Sequence, residues 1–289
     1  MNSMPTRTPQ PALVNPHTPF RVSPAALLES LRNNYHLIFV MTRKEVIGRY
    51  RGSFMGLAWS FFHPVMMLLV YTFVFSVVFK ARWGVAEDQP RETFALVLFS
   101  GLILHGLIAE ALNRAPSLIL NNTNYVKKVL FPLEILPVVT VLTSLFHALV
   151  SLTVLLIAMV VLGNKLYWTV VFAPLILLPY LTLITGLAWM LASLGVYLRD
   201  VDHTMGVITT ALLFLAPILY PLSMVPEQLQ GVIFLNPISF IVEQLRAAIL
   251  LGTPPNWQGL AAYSFVAAIL AWLGFAWFQK TRKGFPDVL

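Results

Sequence analysis

The chain has 289 residues, 58% of them hydrophobic and only 11% charged. Soluble domains carry roughly 25% charged residues, so an ordinary soluble domain is excluded and a protein that crosses a membrane several times is indicated. The formal charge of +7 does not argue for nucleic acid, because the basic residues cluster beside apolar runs, where they meet anionic lipid; the absence of cysteine excludes disulfides and thiolate metal sites.

Residues 1–24 hold six prolines and few large apolar residues and read as a disordered tail. No cleavable signal is evident, since the first long apolar run starts after residue 50. Ser23-Pro24 has the form of an N-cap followed by proline at the first helical position. Leu27, Leu31, Tyr35 and Ile38 then recur at helical spacing. They define an amphipathic helix within residues 25–56, too polar to span and suited to the membrane interface. Thr42-x-x-Glu45 matches a capping box that would start a second helix; one continuous helix with a chance match is the alternative. Gly48, Gly52 and Gly56 step every four residues. They form either a face for a closely packed partner or a flexible joint into the first span.

The segment Thr42–Phe79 organises the rest. Its first part carries Arg43, Lys44, Arg49 and Arg51, and Leu57–Phe79 then runs 23 residues without a formal charge. That length covers ~30 Å of hydrocarbon. The expected fold is all-α and membrane-embedded, with a transmembrane domain over 57–289. Six spans lie at about 57–79, 93–112, 135–162, 168–197, 204–222 and 259–278. With both termini inside, 14 of the 19 basic residues fall on the inner side and 5 on the outer, which sets the orientation. Residues 223–252 contain two apolar stretches too short to span, separated by Asn236-Pro237. They read as a re-entrant helical hairpin entering from the outer face before the last span. A full span near 231–251 is the rival, and Glu243 and Arg246 weigh against it.

The chemistry is sparse. There is no G-x-x-x-x-G-K-[ST] loop, no H-E-x-x-H and no nucleophile elbow, so the chain has no P-loop with which to hold ATP. His63, His105 and His147 read as neutral histidines hydrogen-bonded inside the bundle. Glu110 stands four residues before Arg114, and a helical ion pair accounts for it more simply than a proton relay. Aromatics are the other feature. Tyr71, Phe75 and Phe79 drift ~80° over two turns and form one strip on span one, with Phe214 and Tyr220 next on span five. They face lipid, or they form a conduit wall offering weak contact to the C–H faces of sugar rings.

Three blocks carry a family likeness. TRKEVIGRYRGSFMGLAWSFFHPVMMLLVYTFVFSVVF, NRAPSLILNNTNYVKKVLFPLEILPV, and GVYLRDVDH followed by APILYP…LNPISFIVEQLRAAILLG together resemble the permease subunits of type-2 ABC exporters for polysaccharides. That group exports O-antigen, capsule or teichoic-acid chains, and the likeness covers roughly residues 25–289. It implies a transport subunit without enzymatic activity or a cofactor of its own, in the bacterial cytoplasmic (inner) membrane. It implies a homodimer with the conduit between its two copies, a separate nucleotide-binding ATPase subunit that binds the ATP, and a lipid-linked polysaccharide as substrate. Segment 113–134 would supply the coupling helix, with Tyr125, Lys127, Lys128 and Leu130 docking on the ATPase. Arg43, Lys44, Arg49 and Arg51 would contact lipid headgroups or a pyrophosphate-linked substrate. An exporter of a drug or lipid is the alternative within transport, and a membrane-embedded glycan transferase the alternative among enzymes.

Overall fold

Ser23 begins the first helix, its hydroxyl accepting the N–H of Ala26 at 3.2 Å with Pro24 at the first helical position. The computed structural model describes residues 22–79, 91–126 and 131–289. Most of the proline-rich tail therefore lies outside the described residues. Helix α1 (Pro24–Asn33) breaks at Asn34, whose amide turns back to the carbonyl of Ser30, and α2 (Tyr35–Tyr50) follows. Thr42 sits inside α2 and donates to the carbonyl of Ile38 at 2.8 Å. The capping-box alternative is thus set aside: the backbone is helical through Thr42, and the break falls earlier. Ile38 is buried against Ile135 and Val139, which fixes α2 on the foot of a later helix.

Past Tyr50, Gly52 and Gly56 adopt φ of 86° and 52°, backbone that other residues adopt only with strain. The three spaced glycines therefore do not share a helical face. The last two turn the chain from the surface helix into span one, which is the joint reading.

Span one covers Gly56–Val78, with α3 (Trp59–Tyr71) running into a π-helical stretch, Thr72–Val78. Span two is α4 (Arg91–Arg114). Short helix α5 (Thr123–Val126) leads on to span three, α6 (Ile135–Val161). Span four is a 3-10 turn, Trp168–Phe172, continued by α7 (Ala173–Tyr197).

The fifth expected span, 204–222, needs correcting. Helix α8 runs only from Asp200 to Phe214, 15 residues or about 22 Å at 1.5 Å per residue, short of the ~30 Å core. The apolar run continues, but Pro217 and Pro221 bring no N–H to a helix, and the chain turns instead. Next come α9 (Glu227–Leu235) and α10 (Pro237–Ile249), bent by 99°. Asn236 makes the bend. Its side-chain oxygen accepts the N–H of Ile238 at 3.0 Å and its amide donates to Leu212 O at 2.8 Å, tying the hairpin to α8. Helix α11 (Trp257–Thr281) forms the last span and ends in α12 (Phe285–Val288). Among the described residues five helices are long and apolar enough to cross a membrane, and the bent pair makes a sixth candidate. No strand is present among them.

Span two is the buried axis of the bundle, packed by span one, α6, α7, α8 and α10, whereas span one itself is mostly exposed. Spans four and six form the tightest pair, crossing where Gly186 meets Ala271 and Gly274. At the foot of span three, Glu134 accepts from Ser30 Oγ at 2.9 Å and pairs with Arg282 at 2.7 Å. Trp189 Nε1 donates to the Glu134 carbonyl at 2.8 Å.

Candidate functional site

Two of the concave regions near the junction of α2 with the bundle carry both acidic and basic side chains. The first is a groove between spans one, two and three. Arg49, near the end of α2, reaches across it, its Nη1 lying 2.5 Å from Glu110 Oε1 and 3.1 Å from His147 Nδ1. His147 Nδ1 is in turn 2.9 Å from Glu110 Oε2. Glu110 thus has a different principal partner from the helical one expected. Arg114 stands 3.8 Å away, because it is drawn to Glu45 on α2.

A cavity of about 490 Å³ beside this triad is lined by Arg49, Tyr50, Trp59, His63 and Ser151. A second compartment of about 260 Å³ shares His63, Glu110 and His147 and continues to Met67, Tyr71 and Gly106. Burial, partly offset by the neighbouring Arg49, raises the Tyr50 phenol above its ordinary range. His105 belongs elsewhere, with Nε2 at 2.9 Å from the carbonyl of Thr209 on α8.

The second region is a crevice of about 370 Å³ between α2 and the segment after span two. Lys44, Glu45, Arg114, Asn121, Asn122 and Tyr125 line it. Tyr125 stacks on Phe131, with centroids 4.3 Å apart and planes at 12°. Lys127, Lys128 and Leu130 lie outside the described residues. Arg43, Lys44 and Arg51 are exposed along one side of α2. Arg49 differs from them in being held by Glu110.

The aromatic residues fall into two groups. Tyr71 and Phe75 are half-buried toward span two, with Phe75 5.4 Å from Phe94, while Phe79 is 67% and Phe73 60% exposed. Phe214 is 59% exposed, and Tyr220 donates to its carbonyl at 2.9 Å. Span one packs on the Phe99, Ile103 and Gly106 flank of span two; α8 packs on its His105 and Asn113 flank.

Sequence reasoning missed Arg246. It is buried within the hairpin, with Nε and Nη2 donating to Val97 O and Nη1 and Nη2 to Pro217 O and Ile218 O. Its charge had marked the segment as unlike a plain span; the carbonyls it serves lie far away in sequence.

The architecture is that of a polytopic helical membrane protein with a further helix, α2, laid against the foot of the bundle. The model of the ABC-2 type transporter family matches residues 36–250, and the chain belongs to that family. It is 28% identical over 263 residues to the O-antigen export system permease protein RfbA of Myxococcus xanthus, covering 90% of this chain and 98% of that one. The protein of the same name from Klebsiella pneumoniae is 24% identical over 256 residues, covering 88% and 95%.

Proposed function

We propose that the chain is the permease subunit of an ATP-driven exporter that moves a lipid-linked polysaccharide, O-antigen or a similar polymer, across the bacterial inner membrane. The observation that carries this is likeness to two O-antigen export permeases over nearly their whole length. It works as a homodimer, with ATP bound and hydrolysed on a separate subunit and both termini cytoplasmic. The mostly exposed span one supplies surface for a second copy. The test is complementation. A cell lacking its own export permease and ATPase receives this chain with the ATPase from the same source. Surface polymer should return, and should vanish when the ATPase loses its P-loop lysine. Export of a drug or free lipid with no surface polymer would refute the reading.

The crevice at Lys44, Arg114 and Tyr125 is the proposed ATPase-docking region, extended by Lys127, Lys128 and Leu130. The Tyr125→Asp, Leu130→Asp double variant is expected to abolish export at unchanged membrane level while the ATPase hydrolyses ATP unproductively. Normal surface polymer in that variant would remove the segment from coupling.

The aromatic set Tyr71, Phe75, Phe79, Phe214 and Tyr220 is proposed as conduit wall. A polymer needs a path that holds each unit weakly, and Phe79 and Phe214 are the members whose rings stand most open. Phe79→Leu with Phe214→Leu should slow export several-fold at equal membrane level. Phe265→Leu, an exposed ring on the last span, should leave it unchanged. Equal export from both variants would assign the strip to lipid. The exposed Arg43, Lys44 and Arg51 hold α2 to anionic headgroups at about 1 kcal/mol each.

A further inference from the structure

We infer that the groove between spans one, two and three holds one anionic phospholipid, its phosphate on Arg49, Tyr50 and His63 and one acyl chain along Met67, Tyr71 and Gly106. Three observations converge. Arginine carries five N–H donors, and both contacts of Arg49, to Glu110 and His147, use Nη1. Its Nε and Nη2 are therefore uncommitted among the described residues, and the side chain is 44% exposed at the groove. The Tyr50 hydroxyl and the His63 ring line the same cavity and likewise have no hydrogen-bond partner among the described residues. A guanidinium with neighbouring donors is the chemistry that recognises phosphate. Glu110 is balanced by Arg49.

The second observation is shape. The polar compartment continues into the apolar one through His63, Pro64, Glu110, His147 and Ser151, which line both. A charged mouth leading to an apolar trough is the form of an amphiphile. The trough has room, since a Cβ added at Gly106 would meet nothing within 4 Å. The third is access. At the mouth of the groove His63 is exposed and Trp59 is 41% exposed, so an amphiphile can enter from the side of the bundle, where phospholipid is the most concentrated phosphate amphiphile and mass action favours it. The occupant is independent of which polymer is exported.

The test uses the full chain in discs of phosphatidylcholine with a minority of phosphatidylglycerol, extracted in mild detergent and weighed by native mass spectrometry. One phosphatidylglycerol should stay on each wild-type chain. Arg49→Gln should retain it about tenfold less, as expected for losing a charge-assisted phosphate contact. Gly106→Leu should lose it to a similar degree; it fills the trough, leaves every charge in place and improves helix propensity. Should Arg49→Gln fail to fold, Gly106→Leu decides alone. Lys280→Gln, exposed at the end of the last span, should retain the lipid. Full retention by Gly106→Leu would overturn the site. Displacement of phosphatidylglycerol by an equal amount of polyprenyl phosphate would overturn the phospholipid and give the groove to a carrier lipid.

Discussion

Arg246→Met is expected to prevent the protein from accumulating in the membrane. The guanidinium is 5% exposed. It donates to the carbonyls of Val97, Pro217 and Ile218, and it also meets Ser100 Oγ at 3.4 Å and Glu243 at 3.2 Å. One side chain thus joins span two, the irregular chain after α8, and the hairpin. Pro217 and Ile218 lie where the helix has stopped, so their carbonyls depend on a donor from outside. Methionine fills much of the volume but leaves these acceptors buried and unmet, at about 1–3 kcal/mol each. Against a total stability of about 5–15 kcal/mol, that is a large fraction. Lysine keeps the charge without the fork and should rescue only in part. Membrane level and the thermal midpoint of the purified protein measure both; a methionine variant with wild-type midpoint would show that the staple is dispensable.

Gly274→Leu is the second substitution expected to be severe. A Cβ at Gly274 would lie 2.1 Å from the carbonyl oxygen of Gly186, and one at Gly186 would lie 2.7 Å from the backbone of Ala271. Both obstacles are main chain, so no rotamer relieves them. Small residues let membrane helices approach closely, and here they do so on the most extensive helix pair of the bundle. Overpacking typically costs about 1–3 kcal/mol, and a backbone clash belongs at the top of that range. Gly206→Ala on α8, where a Cβ meets nothing within 4 Å, should be neutral or slightly stabilising. The comparison of midpoints separates close packing from a general intolerance of glycine loss.

Much of the architecture was legible because lipid imposes it. Long uncharged runs located spans one, two, three, four and six, and Asn236-Pro237 located the bend of the hairpin. The fifth run misled because hydropathy registers apolar side chains and not the N–H that Pro217 lacks. The polar groove was illegible for a different reason. The i,i+4 rule offered Arg114 to Glu110, and Arg114 is indeed a neighbour, at 3.8 Å. Arg49 wins from 61 residues away because the end of α2 is laid across span two, a tertiary fact that leaves no periodic trace. His63 and His147 were visible as residues but not as neighbours of one cavity.

The knot at Glu134 has a mechanical consequence. It fastens the first helix through Ser30, the last span through Arg282 and span four through Trp189, immediately after the crevice segment that follows span two. A close-packed interior passes a displacement on instead of absorbing it. A push delivered to that segment is therefore expected to reach the first helix and the foot of the last span together, with Glu134 as their common pivot.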